Sequence, residues 1–220
     1  MLNTVEISQN SFDKNILFQG RNYLLYLLNI NGQQVKIRKN TSIYIYIQKG
    51  SALVITESFS CDMKEGMYAS LCSTGSIEIG INSNVMVIEI DCFEALNTIG
   101  GPIEKIGRLE YIDGCSDTLL LSPSRLGEPC LNLLHFPKNT NQSKHFHPSF
   151  RFGIVASGNG KCLVSNEEKI LTTGDLFYIP ENVEHKFDTQ YSEMNVIAFH
   201  PDSDWGPTNQ NHPMINKTHF

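Results

Sequence analysis

Apolar residues in this chain come in short runs separated by Gly, Asn, Pro and Ser. The clearest are Ser42–Gln48, Ala52–Thr56, Val85–Ile90, Phe152–Ala156, Lys161–Val164, Leu176–Ile179 and Asn195–Phe199. Runs of this length, rich in Val, Ile, Phe and Tyr and bounded by turn residues, predict β-strands. Many of them in succession predict an all-β sandwich or barrel. Asn159-Gly160 falls between two runs and predicts a type I′ hairpin turn there. Helical periodicity is scarce, and only Asp91–Thr98 is expected to make a turn or two of helix.

The pattern repeats. Glu65-Gly66 and the five residues after it match Thr173-Gly174 and its followers at an offset of 108. Val87-Ile88 matches Val196-Ile197 at 109, and Lys49-Gly50 resembles Asn159-Gly160 at 110. Three matches in order at nearly one offset predict a duplicated β-unit. The expected units are residues 1–100 and 101–220, divided near Gly100-Gly101-Pro102, with a long approach from Glu104 to Pro137 into the second.

Composition narrows the class of partner. Of the 220 residues 40% are hydrophobic and 18% charged, as in an ordinary globule, and the net charge is −6. No basic stripe invites nucleic acid. The longest apolar stretch, Tyr23–Ile30, is too short to cross a bilayer, and no secretory signal is evident. The six cysteines form no CxxC pair, so reduced thiols in the cytoplasm are expected. A small molecule is the expected partner, and the chain is expected to form a homodimer.

Histidine carries the candidate chemistry. All seven lie at or beyond His135. In a strand, residues two apart share a face, so His145 and His147 point the same way. The turn from Gly174 to Pro180 is expected to bring His185 opposite them. The sequence His145-Phe146-His147-Pro148-Ser149-Phe150-Arg151, with Gly158-Asn159-Gly160 after it, resembles the first motif of the cupin superfamily. Gly174-Asp175-Leu176-Phe177-Tyr178-Ile179-Pro180, followed by His185, resembles the second. The resemblance extends over both halves and implies a bicupin: two tandem double-stranded β-helix (jelly-roll) barrels.

The resemblance implies that His145, His147 and His185 hold one divalent transition metal, iron first, with Mn, Ni, Zn and Cu as alternatives. Three imidazoles suit such ions and leave coordination positions open. The family's glutamate position is occupied by Arg151, which cannot ligate a metal. Arg151 is expected to face inward, either holding an anionic substrate group or forming a salt bridge at the barrel rim. His200 is a candidate fourth ligand or acid–base group, against a rim histidine with no role. His135 is expected to pack or hydrogen-bond, and Cys162 to pack as a small hydrophobe. The tail, with Trp205, His212 and His219, is expected to fold over the barrel mouth, exchange with a partner subunit, or fray.

The first half offers no ligands at the aligned positions. Val35 to Asn40 stand near the HxH, Cys72 replaces Pro180, and Ile77 falls at His185. A metal-free barrel used for packing, dimerisation or shaping the entrance is expected there. The resemblance implies a metalloenzyme acting on a small, anionic, chelating organic molecule. A three-histidine dioxygenase is the first reading, and a metal-dependent isomerase or decarboxylase the second. A non-catalytic metal- or ligand-binding protein is the third. Metal-free epimerase chemistry would need a His/Tyr pair, for which Tyr178 is available.

Overall fold

The computed structural model describes residues 5–8, 11–123, 125, 127–164 and 167–202. The strands in chain order are β1 (Glu6–Ser8), β2 (Asp13–Phe18), β3 (Arg21–Leu28), β4 (Gln34–Ile37), β5 (Thr41–Lys49) and β6 (Ser51–Thr56). They continue with β7 (Ser60–Lys64), β8 (Tyr68–Leu71), β9 (Gly75–Ile79), β10 (Asn84–Asp91), β11 (Thr98–Gly100) and β12 (Leu109–Glu110). The last are β13 (Ser116–Leu121), β14 (Cys130–Phe136), β15 (Arg151–Val164), β16 (Glu167–Thr172), β17 (Leu176–Ile179), β18 (His185–Asp188) and β19 (Met194–His200). The fold is all-β, every strand pairing is antiparallel, and a single short 3₁₀ turn at Ile112–Gly114 is the nearest thing to a helix among the described residues. No helix among them is long and apolar enough to cross a membrane.

The chain divides into two compact units, residues 9–104 and residues 5–8 with 105 onward. The first is a barrel of two sheets, ordered β11-β8-β5-β10-β3-β2 and β4-β9-β6-β7. Its core holds Ile43, Ile45, Ile47, Val54, Met63 and Val87. In the second unit the order is β1-β17-β15-β19-β14-β13-β12, and β16 and β18 pair with the far half of β15. Phe136, Val155, Leu171, Phe177 and Val196 lie in its core. The strand Glu6–Ser8 departs from a division at residue 100. It pairs with β17, Glu6 opposite Tyr178, and seats Val5 in the second core. In the first unit β11 covers the corresponding edge of β8. In both units a short strand thus covers the edge of a longer one and becomes the edge itself.

The repeat is more regular in three dimensions than along the sequence. Gly66 N–H donates to the Ile47 carbonyl at 2.8 Å, and Gly174 N–H to that of Val155 at 2.8 Å. Gly50 and Gly158 are likewise 108 apart, with φ of +78° and +79°. Each stands beside a register shift, at Asn84/Val85 in one unit and at Val155/Ser157 in the other. There the chain bends from one sheet to the next, which a left-handed residue permits.

This geometry corrects two expectations. Asn159-Gly160 is not a hairpin turn. Both residues sit within β15, opposite Thr172 and Leu171, because the strand bends at Gly158 and continues. Asp91–Thr98 is not helical. Cys92 has φ +54°, and the chain beyond it to Asn97 has no regular structure, with Ser42 Oγ donating to the Phe93 carbonyl (2.6 Å) and accepting from Ala95 N–H (2.8 Å). A serine that satisfies these backbone groups removes the need for helical bonds.

Candidate metal centre

His145 and His147 lie on an extended segment before β15. They are not within a regular strand, since only His145 forms a β-bridge, with His185. His145 N–H donates to the His185 carbonyl (3.0 Å), His185 N–H returns the bond (2.8 Å), and Asn182 N–H donates to the His147 carbonyl (2.7 Å). Extended backbone keeps the two-residue spacing on one side, as expected. Ring centroids are 5.0 Å apart for His145 and His147, 4.6 Å for His145 and His185, and 5.3 Å for His147 and His185. One nitrogen from each of the three lies within 4.8 Å of the others.

Hydrogen bonds fix which nitrogen is available. His145 Nδ1 is 2.9 Å from the Ser143 carbonyl and His185 Nδ1 is 2.8 Å from that of Val183. A carbonyl only accepts, so both Nδ1 atoms carry the proton and both Nε2 lone pairs are left for a ligand. His147 Nδ1 is buried with no hydrogen-bond partner among the described residues. Such an atom calls for an explanation, and an absent ion is one. Burial lowers the basicity of all three, holding His185 at about 3 and His147 well below the usual range. The positive charge of Arg151 acts on each of them in the same direction. Neutral imidazoles are the form that binds metal, so the residues fit a divalent transition ion.

The surrounding cavity holds about 30 Å³ and is walled by Leu134, Phe136, Phe177, Ile179 and Phe187. Arg151, His200, Tyr111 and Gln142 also line it. Arg151 opens β15 and is buried. Its Nη1 donates to Ser149 Oγ (2.5 Å), the Ser149 carbonyl (3.2 Å) and the Phe150 carbonyl (3.0 Å). Burial pulls its pKa down to about 10, and the buried carboxylate of Asp202 is the main influence raising it. Arg151 therefore lines the cavity, as its expected inward direction requires, under the influence of an acidic residue. His200 ends β19 and is buried at the wall.

Several residues fall elsewhere. His135 takes the hydrogen bond expected of it, Nδ1 to Asn195 Oδ1 at 2.7 Å. Cys162 packs in the core, burial raising its thiol to about 12. Tyr178 is buried against Phe150, ring centroids 5.8 Å apart, while its neighbours Phe177 and Ile179 line the cavity. Alternation along β17 turns it away from the histidines, so Tyr178 does not supply the tyrosine of a His/Tyr pair. Trp205, His212 and His219 lie outside the described residues. Two cavity residues carried no sequence signal. Tyr111 sits in the approach segment far from either motif, and burial raises its pKa, with Asp117 adding to the effect. Gln142 precedes the HxH, its Oε1 accepting from Phe187 N–H at 3.2 Å.

In the first barrel apolar side chains stand at the positions equivalent to the histidines. Val35 stands opposite Ile77 on β4 and β9, where the second unit has His145 opposite His185. Ile37 and Ile77 belong to the apolar core and Val35 packs against it.

Residues 132–200 match the family model for the cupin domain. No curated protein sequence matches the chain. Among solved structures, a cupin 2 conserved barrel domain protein from Leptotrichia buccalis has a TM-score of 0.65 at 17% identity, over 90% of this chain and 89% of that one. Salicylate 1,2-dioxygenase from Pseudoaminobacter salicylatoxidans, a mutant in complex with gentisate, has 0.65 at 9% identity, over 91% and 78%. Oxalate decarboxylase from Bacillus subtilis, with Mn(II) centres, has 0.58 at 12%, over 95% and 80%. Likeness at these identities is likeness of fold. The expected architecture, all-β with two tandem cupin barrels, is the one observed.

Proposed function

We propose that the second barrel is a metal-dependent enzyme for a small, anionic, metal-chelating organic substrate, most closely a three-histidine dioxygenase. One observation carries this: three neutral imidazoles converge within 4.8 Å on a cavity that a buried guanidinium also lines. Iron is the first choice of metal, with Mn, Ni, Zn and Cu following. When bound, the ion supplies Lewis acidity and, if it is iron, the redox chemistry needed for dioxygen. Arg151 then neutralises a substrate carboxylate, its position fixed by Ser149 and Phe150. Tyr111, protonated at neutral pH, donates a hydrogen bond to a substrate oxygen. His200, at the end of β19 and lining the cavity, moves the proton in this reading. Phe136, Phe177 and Phe187 exclude water.

Decarboxylation or isomerisation of a small acid is the second reading. The narrowness of the cavity, about 30 Å³, favours it, because little beyond the smallest chelating acids fits without opening. The fold likeness to an oxalate decarboxylase agrees in direction. We further infer a homodimer in a reducing cytoplasm, where the six cysteines would stay reduced. The test is anaerobic loading with Fe(II) or Mn(II), followed by parallel measurement of oxygen uptake and CO₂ release with a panel of α-keto, hydroxy and dicarboxylic acids. Oxygen uptake with Fe(II) supports the first reading, and CO₂ release without it the second. A loaded protein that turns over none of the panel is the non-catalytic binder and ends the proposal.

A further inference from the structure

The larger cavity lies in the barrel that lacks the histidines. Along β3 and β10 the inward residues Leu28, Val85 and Val87 belong to the apolar core. Further along, these rows become mixed and less buried, with Tyr26, Leu24 and the exposed Asn22 on β3 and Glu89 on β10. A strand holding one parity normally keeps one face apolar, so the change marks where packing stops. A cleft of about 650 Å³ opens there, with a second lobe of about 230 Å³, and Leu24, Arg38 and Glu89 border both. The first volume is typical of small-molecule sites.

The polar groups are held in fixed positions. Tyr26 OH donates to Glu89 Oε1 at 2.5 Å. Arg38 Nη2 lies 3.1 Å from Glu89 Oε2 and 3.1 Å from Asp91 Oδ1, and Thr41 Oγ1 donates to Asp91 at 3.2 Å. The Glu89 side chain is only 9% exposed, so a buried carboxylate is locked on the cavity wall by two donors. Arg38 stands between β4 and β5, the connection that in the second barrel carries His147 towards Arg151. The cleft therefore occupies the same end of its barrel as the histidine cavity does in the other.

Charge decides the ligand class. Glu89, Asp91 and Asp13 face Arg38 and Lys36, and the guanidinium is clamped between two of the carboxylates. A simple anion meets two or three acids, and a simple cation meets Arg38. A neutral molecule with many hydroxyls meets acceptors, donors and the bifunctional carboxamides of Asn15 and Asn22. Leu24 and Val35 supply an apolar wall for its C–H face.

We propose that the first barrel binds a neutral, hydroxyl-rich small molecule of the sugar or polyol class in this cleft, independently of the metal chemistry of the second. The test uses the full-length protein, metal-loaded and EDTA-treated, in calorimetric and saturation-transfer titrations. The probes are D-glucose, D-xylose, maltose and glycerol, with benzoate and putrescine as charged comparators. At least one neutral probe is expected to bind equally in both preparations. Glu89→Gln and Arg38→Met should each weaken it about ten-fold, the loss expected for a removed hydrogen bond to a charged group. Leu24→Trp, which fills the cleft and leaves the Tyr26–Glu89–Arg38 cluster intact, should abolish it while the circular dichroism spectrum stays unchanged. The proposal is overturned if no neutral probe binds, if Leu24→Trp binds undiminished, or if benzoate or putrescine binds more tightly than every neutral probe.

Discussion

Arg151→Met tests whether one side chain both supports the fold and serves the site. The guanidinium is buried, with the buried carboxylate of Asp202 as its main counter-charge. Removing one member of a buried pair strands the other charge and costs about 3–5 kcal/mol. At a urea m-value of about 3 kcal/mol/M, the midpoint at pH 7 falls by at least ~1 M. The double variant Arg151→Met/Asp202→Asn leaves no buried charge and should regain most of the lost stability. It should not regain substrate binding, because a charge-assisted hydrogen bond worth about 1.5–3 kcal/mol is still missing, ten-fold or more in KM. Urea titrations at pH 7 and substrate saturation curves read out both effects. A single variant with full stability would refute the pairing, and a double variant that recovers KM would refute the anion anchor.

His147→Ala should change sign with metal. Without metal it removes a buried nitrogen that has no partner among the described residues, which offsets the lost packing, so thermal stability should hold within about 1 kcal/mol. With metal at 1,000 times the wild-type Kd, wild type gains about 4 kcal/mol, and a variant weakened 100-fold only about 1.4 kcal/mol. Equal metal-induced shifts in calorimetry would count against His147 as a ligand. Gly158→Ala should cost several-fold more than Gly20→Ala in chemical denaturation. Both glycines have positive φ, but a Cβ at 158 would meet the Glu193 carbonyl at 2.0 Å, whereas one at 20 meets nothing within 4 Å. Burial raises Asp117 from 3.8 to about 6 despite the bonds from Asn132. Its folded pKa exceeds the unfolded one, so its contribution is fully present below about pH 4 and lost as the pH rises to 6, roughly 3 kcal/mol in all. Asp117→Asn should therefore gain that much on wild type between pH 4 and pH 7, and a pH-independent difference would contradict the assignment.

The site was legible where its signal is short-range. His145 and His147 depend only on extended backbone, and His185 on a glycine and proline turn that leaves few paths. The fold was legible for the same reason, since strand runs and a repeat offset survive without long-range information. Tyr111 and Gln142 reach the cavity through tertiary packing, which no spacing in the chain encodes. Asn159-Gly160 misled because a turn dipeptide fits an ordered strand equally well once Gly158 has taken the bend. The lack of histidines in the first barrel is plain in the sequence, but that Val35 and Ile77 face each other where His145 and His185 do in the second required the β4–β9 register.

The central claim is a metal held by three histidines in the second barrel, and elemental analysis of protein purified without an affinity tag tests it most directly. About one equivalent of a transition metal per chain is predicted for wild type, and less than a tenth of that for His145→Ala, His147→Ala and His185→Ala purified in parallel. Wild-type protein that stays metal-free after growth and dialysis with Fe, Mn, Ni, Zn and Cu would contradict the account, as would any of the three variants keeping its full complement.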